Sequence, residues 1–265
     1  MKAISLGYHD VVEQLDQSDD SVRRAPAYYA LDRKTFQKHL DEIRTRKPIP
    51  QVTFIEAKKQ WGTQVPVFLT FDDGAECAYT CIAEELEARD WRGHFFVTSS
   101  WIGTRGFMDS SQIRELRKRG HIIGSHTHTH PERMSNLTQP QLASEWSVSC
   151  NILEQILGER VKTASVADGY YSKTVGQSAA AAGIEVLFNS EPVKSVGEEH
   201  GCLILGRYAV KSVTAPKGSG DLATGAILPC FAQLGLWEAK KVAKAIAGKS
   251  YLSVRRLLLS ARTRG

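Results

Sequence analysis

Short apolar runs alternate along this chain with segments whose apolar positions recur every three or four residues. The first kind reads as buried strand and the second as helix. Ala3–Tyr8 reads as a strand, and Leu31–Arg46 as a helix with Phe36, Leu40 and Ile43 on one face. Val65–Phe71 reads as a buried strand running into Asp72, Asp73 and Gly74. Cys77–Arg89 reads as helix, Gly93–Thr98 as strand, Asp109–Arg119 as helix and Ile122–Ser125 as a short strand. Asp109 with Gln112, and Thr138 with Gln141, have the spacing of capping boxes, so a helix starts at each. The second helix runs to Leu157, with Leu137 and Leu142 placed for a hydrophobic staple. Thr163–Val166, Ser172–Ala182 and Glu185–Phe188 continue as strand, helix, strand, and Leu203–Leu205 and Tyr208–Val213 as further strands. Residues 12–30, rich in Asp, Ser and Arg, read as a long loop.

The alternation predicts an α/β fold, a mostly parallel sheet or barrel wrapped by helices. In such folds chemistry gathers at the carboxyl ends of the strands. Composition agrees with a globular chain: 265 residues, 42% hydrophobic and 24% charged, enough apolar content for a real core. The net charge of +5 is mild, but residues 236–265 alone carry +7 and the rest −2. No basic stripe runs over the main body, so nucleic acid is not an expected partner. The chain divides into a main domain, 1–235, and a basic helical tail, 236–265. In the tail, Leu252, Leu257, Leu258 and Leu259 with Arg255, Arg256 and Arg262 fit an amphipathic helix on an anionic membrane surface. They fit a solvated terminal helix equally well. The N-terminus reads as no signal peptide. The longest uncharged run, Leu222 to Trp237, is too short to span a bilayer. Five cysteines without CxxC spacing suit a reducing compartment, so a cytoplasmic location is expected. Cys77 and Cys81, four apart, could pair on a metal, but read more simply as small apolar residues on one helix face.

Two constellations carry chemistry. Asp72 and Asp73 are adjacent carboxylates at a strand end, where their mutual repulsion calls for a cation or a division of labour. A plain helix N-terminus would also welcome them. His126, His128 and His130 follow the strand Ile122–Ser125. One helical turn would bring His126 and His130 to the same side, with His128 pointing elsewhere. Asp73, His126 and His130 then form a two-His, one-carboxylate set with open positions, which suits a catalytic zinc-type ion.

Thr70-Phe71-Asp72-Asp73-Gly74 followed by His126-Thr127-His128-Thr129-His130 resembles the NodB-homology polysaccharide deacetylases, carbohydrate esterase family 4. The resemblance covers roughly Val65 to Pro192. It implies a distorted (β/α) barrel, one divalent metal ion, Zn2+ by its ligand types, and hydrolysis of N-acetyl groups on a sugar. By position it makes Asp72 the general base and Asp73, His126 and His130 the metal ligands. A backbone N–H at the third motif would help hold the oxyanion, which points to Asp168 and Gly169, with Tyr170 and Tyr171 beside them.

The chain also departs from the family. Where the family has an Arg-x-Pro-Tyr-Gly motif, this chain has Ser165-Val166-Ala167-Asp168-Gly169. The Arg that pairs with the catalytic Asp is therefore missing. The Asp-Trp element that steadies that Arg is replaced by Phe188-Asn189-Ser190-Glu191-Pro192. The late Leu-x-x-His strand that supplies the general acid has no counterpart after residue 192. The strand Ile4–Tyr8, ending in His9 and Asp10, resembles the N-terminal strand of circularly permuted members, which makes His9 the acid candidate. Tyr28, Tyr29, Trp101, Tyr170 and Tyr171 are candidate sugar platforms. The expected partner is an N-acetylated saccharide in a polysaccharide or in its lipid- or nucleotide-linked precursor. A non-catalytic carbohydrate-binding relative and a metal-dependent amidase acting on small non-sugar amides remain alternatives.

Overall fold

The computed structural model describes residues 1–13, 27–46, 49–51 and 65–247. Among the described residues, eleven short strands form in chain order: β1 (Ile4–Tyr8), β2 (Val11–Val12), β3 (Leu31–Asp32), β4 (Val67–Phe71), β5 (His94–Val97), β6 (Ile122–Ser125), β7 (Thr163–Ser165), β8 (Val186–Phe188), β9 (Val196–Glu199), β10 (Cys202–Leu205) and β11 (Tyr208–Ala209). Nine of them make one sheet, in the order β11-β1-β4-β5-β6-β7-β8-β10-β9. Every neighbouring pair is parallel except β9 with β10. The sheet curls into a distorted barrel, and Lys2 bridges to Ser195 across its seam.

Alternation along the strands fills both faces. Phe68, Phe96, Val186, Phe188, Leu205 and Ala3 pack as one cluster inside the curl. Val67, Leu69 and Phe71, the alternate residues of β4, join the larger cluster under the helices. The helices are α1 (Arg33–Thr45), α2 (Ala83–Glu87), α3 (Ser110–Lys118), α4 (Gln139–Leu157), α5 (Lys173–Ala181), α6 (Pro216–Ala223) and α7 (Ile227–Ala247). A wider π-type turn, Ala78–Ile82, leads into α2. Both expected N-termini form. Asp109 Oδ1 accepts from the N–H groups of Ser111 and Gln112, and Gln141 Oε1 accepts from Thr138 N. On α1, Phe36, Leu40 and Ile43 are wholly buried, as the spacing predicts.

Five elements were not foreseen: the two-residue strands β2 and β3, and β9, α6 and α7. β9 is a hairpin partner of β10, half exposed and too polar to show an alternating pattern. α6 begins at Pro216, and α7 carries Pro229 in its first turn, where a missing N–H costs little. α7 also runs through position 235, so the boundary placed there falls inside one continuous helix. The tail residues Leu252 to Arg262 lie outside the described residues. None of the described helices is long and apolar enough to cross a membrane.

Candidate active site

β1 lies beside β4 in register, with Tyr8 opposite Phe71. Asp72 and His9 are thus the first residues past the ends of two adjacent strands, and Asp72 N donates to the Tyr8 carbonyl. The chain then turns sharply. Asp73 and Gly74 both have left-handed backbone, at φ 75° and 84°. A Cβ on Gly74 would sit 3.0 Å from Val97 Cγ1, so glycine is required there.

His126 follows β6 directly and is almost fully buried. The structure brings His130 beside it, but not by a helical turn. The intervening loop contains two left-handed residues, Thr127 and His130. Glu145 of α4 ties this loop down, accepting from His128 N, Thr129 N and Thr129 Oγ1 at 2.9, 2.8 and 2.6 Å. His128 points away, with Nδ1 2.9 Å from Ser99 Oγ. The ring of Trp101 stacks on His130 at 5.1 Å, backing that ring rather than standing free as a platform.

Asp73 Oδ1 lies 3.4 Å from His126 Nε2 and 3.5 Å from His130 Nε2. One ligand atom each from Asp73, His126 and His130 lies within 4.8 Å of the others, the one such group among the described residues. His126 Nδ1 is 3.2 Å from the Ser165 carbonyl, which can only accept. The ring proton therefore sits on Nδ1 and leaves a bare Nε2 facing a carboxylate. Two lone-pair donors converging in a buried place fit a cation, and the N/O set suits a zinc-type ion. Burial opposes a charged His126, but Asp72 and Asp73 outweigh it and raise its pKa, so a proton competes for the same place. Burial and the neighbouring His126 lower His130 against the pull of Asp73.

Asp72 carries the largest correction to the sequence reading. An arginine does pair with it, from another part of the chain. Arg207, between β10 and β11, donates from Nη1 to Oδ1 at 2.6 Å and from Nη2 to Oδ2 at 2.8 Å. Its Nε donates to the Asn189 carbonyl at 3.0 Å, within the stretch that replaces the Asp-Trp element. Burial works against ionisation of Asp72, yet Arg207 and His126 prevail and hold its carboxyl far below the ordinary range. Ser165, in place of the missing arginine, donates from Oγ to Asp72 Oδ1 at 3.0 Å.

The charges of Asp73, Asp72, Arg207 and His126 all act on the His9 ring, whose pKa burial lowers most strongly. The Tyr29 ring stacks on it at 4.3 Å, with Tyr28 packed at a tilt against Tyr29. His9 Nδ1 is buried with no hydrogen-bond partner. Asp168 is exposed, with φ 53°, and its charge acts on His130. The Gly169 N–H is used by the Val166 carbonyl. Tyr170 is buried with Arg133 over its ring at 5.0 Å. Tyr171 is half-buried against Gly176 and Glu199, on the β9 side. The motifs pointed to Asp73, His126, His130 and Asp72. Arg207, Ser165, Glu145 and the Tyr29 stack were missed. Arg207 had a signal: it is the lone charge in the apolar run Cys202–Val210, and a charge so placed requires a partner.

Residues 60–187 match the family model described as polysaccharide deacetylase. A chitin deacetylase of Colletotrichum lindemuthianum is 36% identical over 88 residues, 33% of this chain and 34% of that protein. The putative polysaccharide deacetylase YxkH of Bacillus subtilis is 25% identical over 162 residues, 61% of this chain and 56% of that protein. These alignments span about a third to a little over half of the curated relatives. The solved structure of the Streptococcus pyogenes deacetylase PplD in complex with acetate superposes with a TM-score of 0.69 at 19% identity, covering 84% of this chain and 98% of that one. That likeness establishes the fold. With its sequence match over residues 60–187, its relatives and its barrel in agreement, the chain is similar to the polysaccharide deacetylases in sequence and shares their fold.

Proposed function

We propose that the chain is a metal-dependent hydrolase that removes N-acetyl groups from an N-acetylated sugar, in a polysaccharide or its lipid- or nucleotide-linked precursor. The observation that carries this reading is the buried Asp73, His126 and His130 set beside a carboxylate, Asp72, that is not part of it. The deacetylase names of its relatives support the reaction class. When bound, a divalent ion, zinc in this reading, supplies Lewis acidity that polarises an acyl oxygen and acidifies water.

Asp72 is the general base. Oδ1 takes two bonds, from Arg207 and Ser165, while Oδ2 takes one, from Arg207, and lies 4.0 Å from His126 Nε2 on the ligand side. Oδ2 is therefore the oxygen that takes the proton of the attacking water. The low pKa keeps Asp72 ionised at every working pH and makes it a weak base, adequate only for water already acidified. His9 is the acid that gives its proton to the departing amine, an otherwise poor leaving group. The adjacent strands β1 and β4 set acid and base side by side, with Tyr29 fixing the acid's ring. The Asp168 N–H is the oxyanion donor in this reading.

The test is acetate release from N-acetylhexosamine glycans and lipid-linked intermediates, with simple amides as controls, before and after chelation. Zinc-dependent release from a sugar is expected. Release from simple amides alone, or from nothing in the zinc-loaded protein, overturns the reading.

A further inference from the structure

Ser165 is the last residue of β7 and has no exposed surface. Its Oγ stands 3.0 Å from Asp72 Oδ1 and 2.5 Å from His126 Nδ1. We propose that Ser165 is a positioning residue: its hydroxyl ties the carboxylate of Asp72 to the ring of His126 and, together with its carbonyl, fixes which ring nitrogen meets the metal. The assignment rests on the reading of His126 as a ligand and Asp72 as the base.

The direction of each hydrogen bond follows from donor inventory alone. An ionised carboxylate can only accept, so the hydroxyl proton goes to Asp72. The oxygen then offers only lone pairs to His126. The Ser165 carbonyl, 3.2 Å from the same Nδ1, also offers only lone pairs. One serine thus presents two acceptors to one ring nitrogen, and both are satisfied by a proton on Nδ1. The neutral ring is left with a bare Nε2, and that atom faces Asp73 Oδ1 at 3.4 Å. The opposite tautomer would put an N–H where the metal belongs and leave Nδ1 against two acceptors. Because the same hydroxyl also holds Asp72, a shift of the ligand ring moves the base with it.

Alanine at 165 keeps the carbonyl and loses the hydroxyl, so the ring keeps one of its two acceptors and Asp72 loses a donor. Loss of such an outer partner typically weakens metal binding by about 10- to 100-fold. The test uses the full chain, wild type and Ser165→Ala, with zinc affinity read by chelator competition. In the zinc-loaded proteins, the Nδ1 proton of His126 is followed by NMR. The expected result is zinc binding weakened about 10- to 100-fold, an Nδ1 resonance moved upfield, and an unchanged melting temperature. Zinc affinity within twofold of wild type overturns the proposal, whatever the resonance does. A wild type that binds zinc but releases no acetate would end the deacetylase reading and leave this result standing. A wild type that binds no zinc would end both.

Discussion

Arg207→Met removes a charge and keeps a side chain of similar length. The side chains of Arg207 and Asp72 are 4% and 5% exposed, so water replaces little of what is lost. The charge centres of a bidentate pair sit about 4 Å apart, worth about 4 kcal/mol at an effective dielectric of 20. That is about three pKa units, and it agrees with the about 3–5 kcal/mol found when one partner of a buried pair is removed. Burial opposes ionisation of Asp72, and Arg207 is the largest influence overriding it. In the wild type the folded pKa lies below the unfolded value. Its contribution is therefore present above about pH 4 and lost as pH falls through the folded value. Without Arg207 the folded pKa rises by about the same three units, with His126 and His9 still lowering it against burial. The loss is full above the variant's folded pKa and shrinks only as pH falls below it. Urea unfolding of the chelated proteins, compared with wild type at the same pH, should show a loss of about 3–5 kcal/mol at pH 7.5. Adding Asp72→Asn should recover much of it, since no buried charge is then left alone. A loss under about 1 kcal/mol at pH 7.5, the range of an exposed pair, would refute the argument.

Asp72→Asn should keep zinc and lose about 10²–10⁴-fold in turnover; an unaltered rate in acetate assays removes it as the base. His9→Ala should keep both zinc and fold and lose turnover by a similar factor, and undiminished release would return the acid's role to another group. His130→Ala should lose zinc and activity together, so full metal content in that variant contradicts the ligand set. Burial among Phe68, Phe96 and Phe188 lowers the His94 pKa to about 4. Its neutral form stabilises the fold above the unfolded pKa of about 6.5, and this is lost as pH falls towards 4, by at most about 1.4 kcal/mol per pH unit. His94→Phe should flatten the stability profile across that window, and parallel profiles would show that His94 is not the titrating group.

The strands and most helices were legible because their signals are local. A buried parallel strand reads as an apolar run, and Asp109 and Thr138 announce their helices through capping. The structure brings the histidine pair together, but by a different route from the one the spacing suggests. Four-residue spacing fits a helical turn, but the left-handed Thr127 and His130 deliver the same convergence through a loop held by Glu145 of a distant helix. The arginine partner of Asp72 was read as absent because motif reading looks at fixed places along the chain. Arg207 is 135 residues away from its carboxylate in sequence and separated from it by a single strand in space. β9 escaped because half-exposed edge strands carry little pattern, and α7 because Pro229 and Gly235 read as breakers.

The place of β1 between β4 and β11 also sets an order of events during synthesis. β1 can pair with β4 as soon as residue 71 has left the ribosome, but its other edge waits for Tyr208 and Ala209. At about 5–20 residues per second, the 135 residues that separate Asp72 from Arg207 take roughly 7 to 27 s to appear. Throughout that interval the nascent sheet holds an open edge and a carboxylate without its counter-ion. That carboxylate must stay hydrated or take up a proton. A fully dry centre is therefore among the last parts of the molecule to form, and a ribosome stalled before residue 207 presents a sheet that cannot close over its own acid.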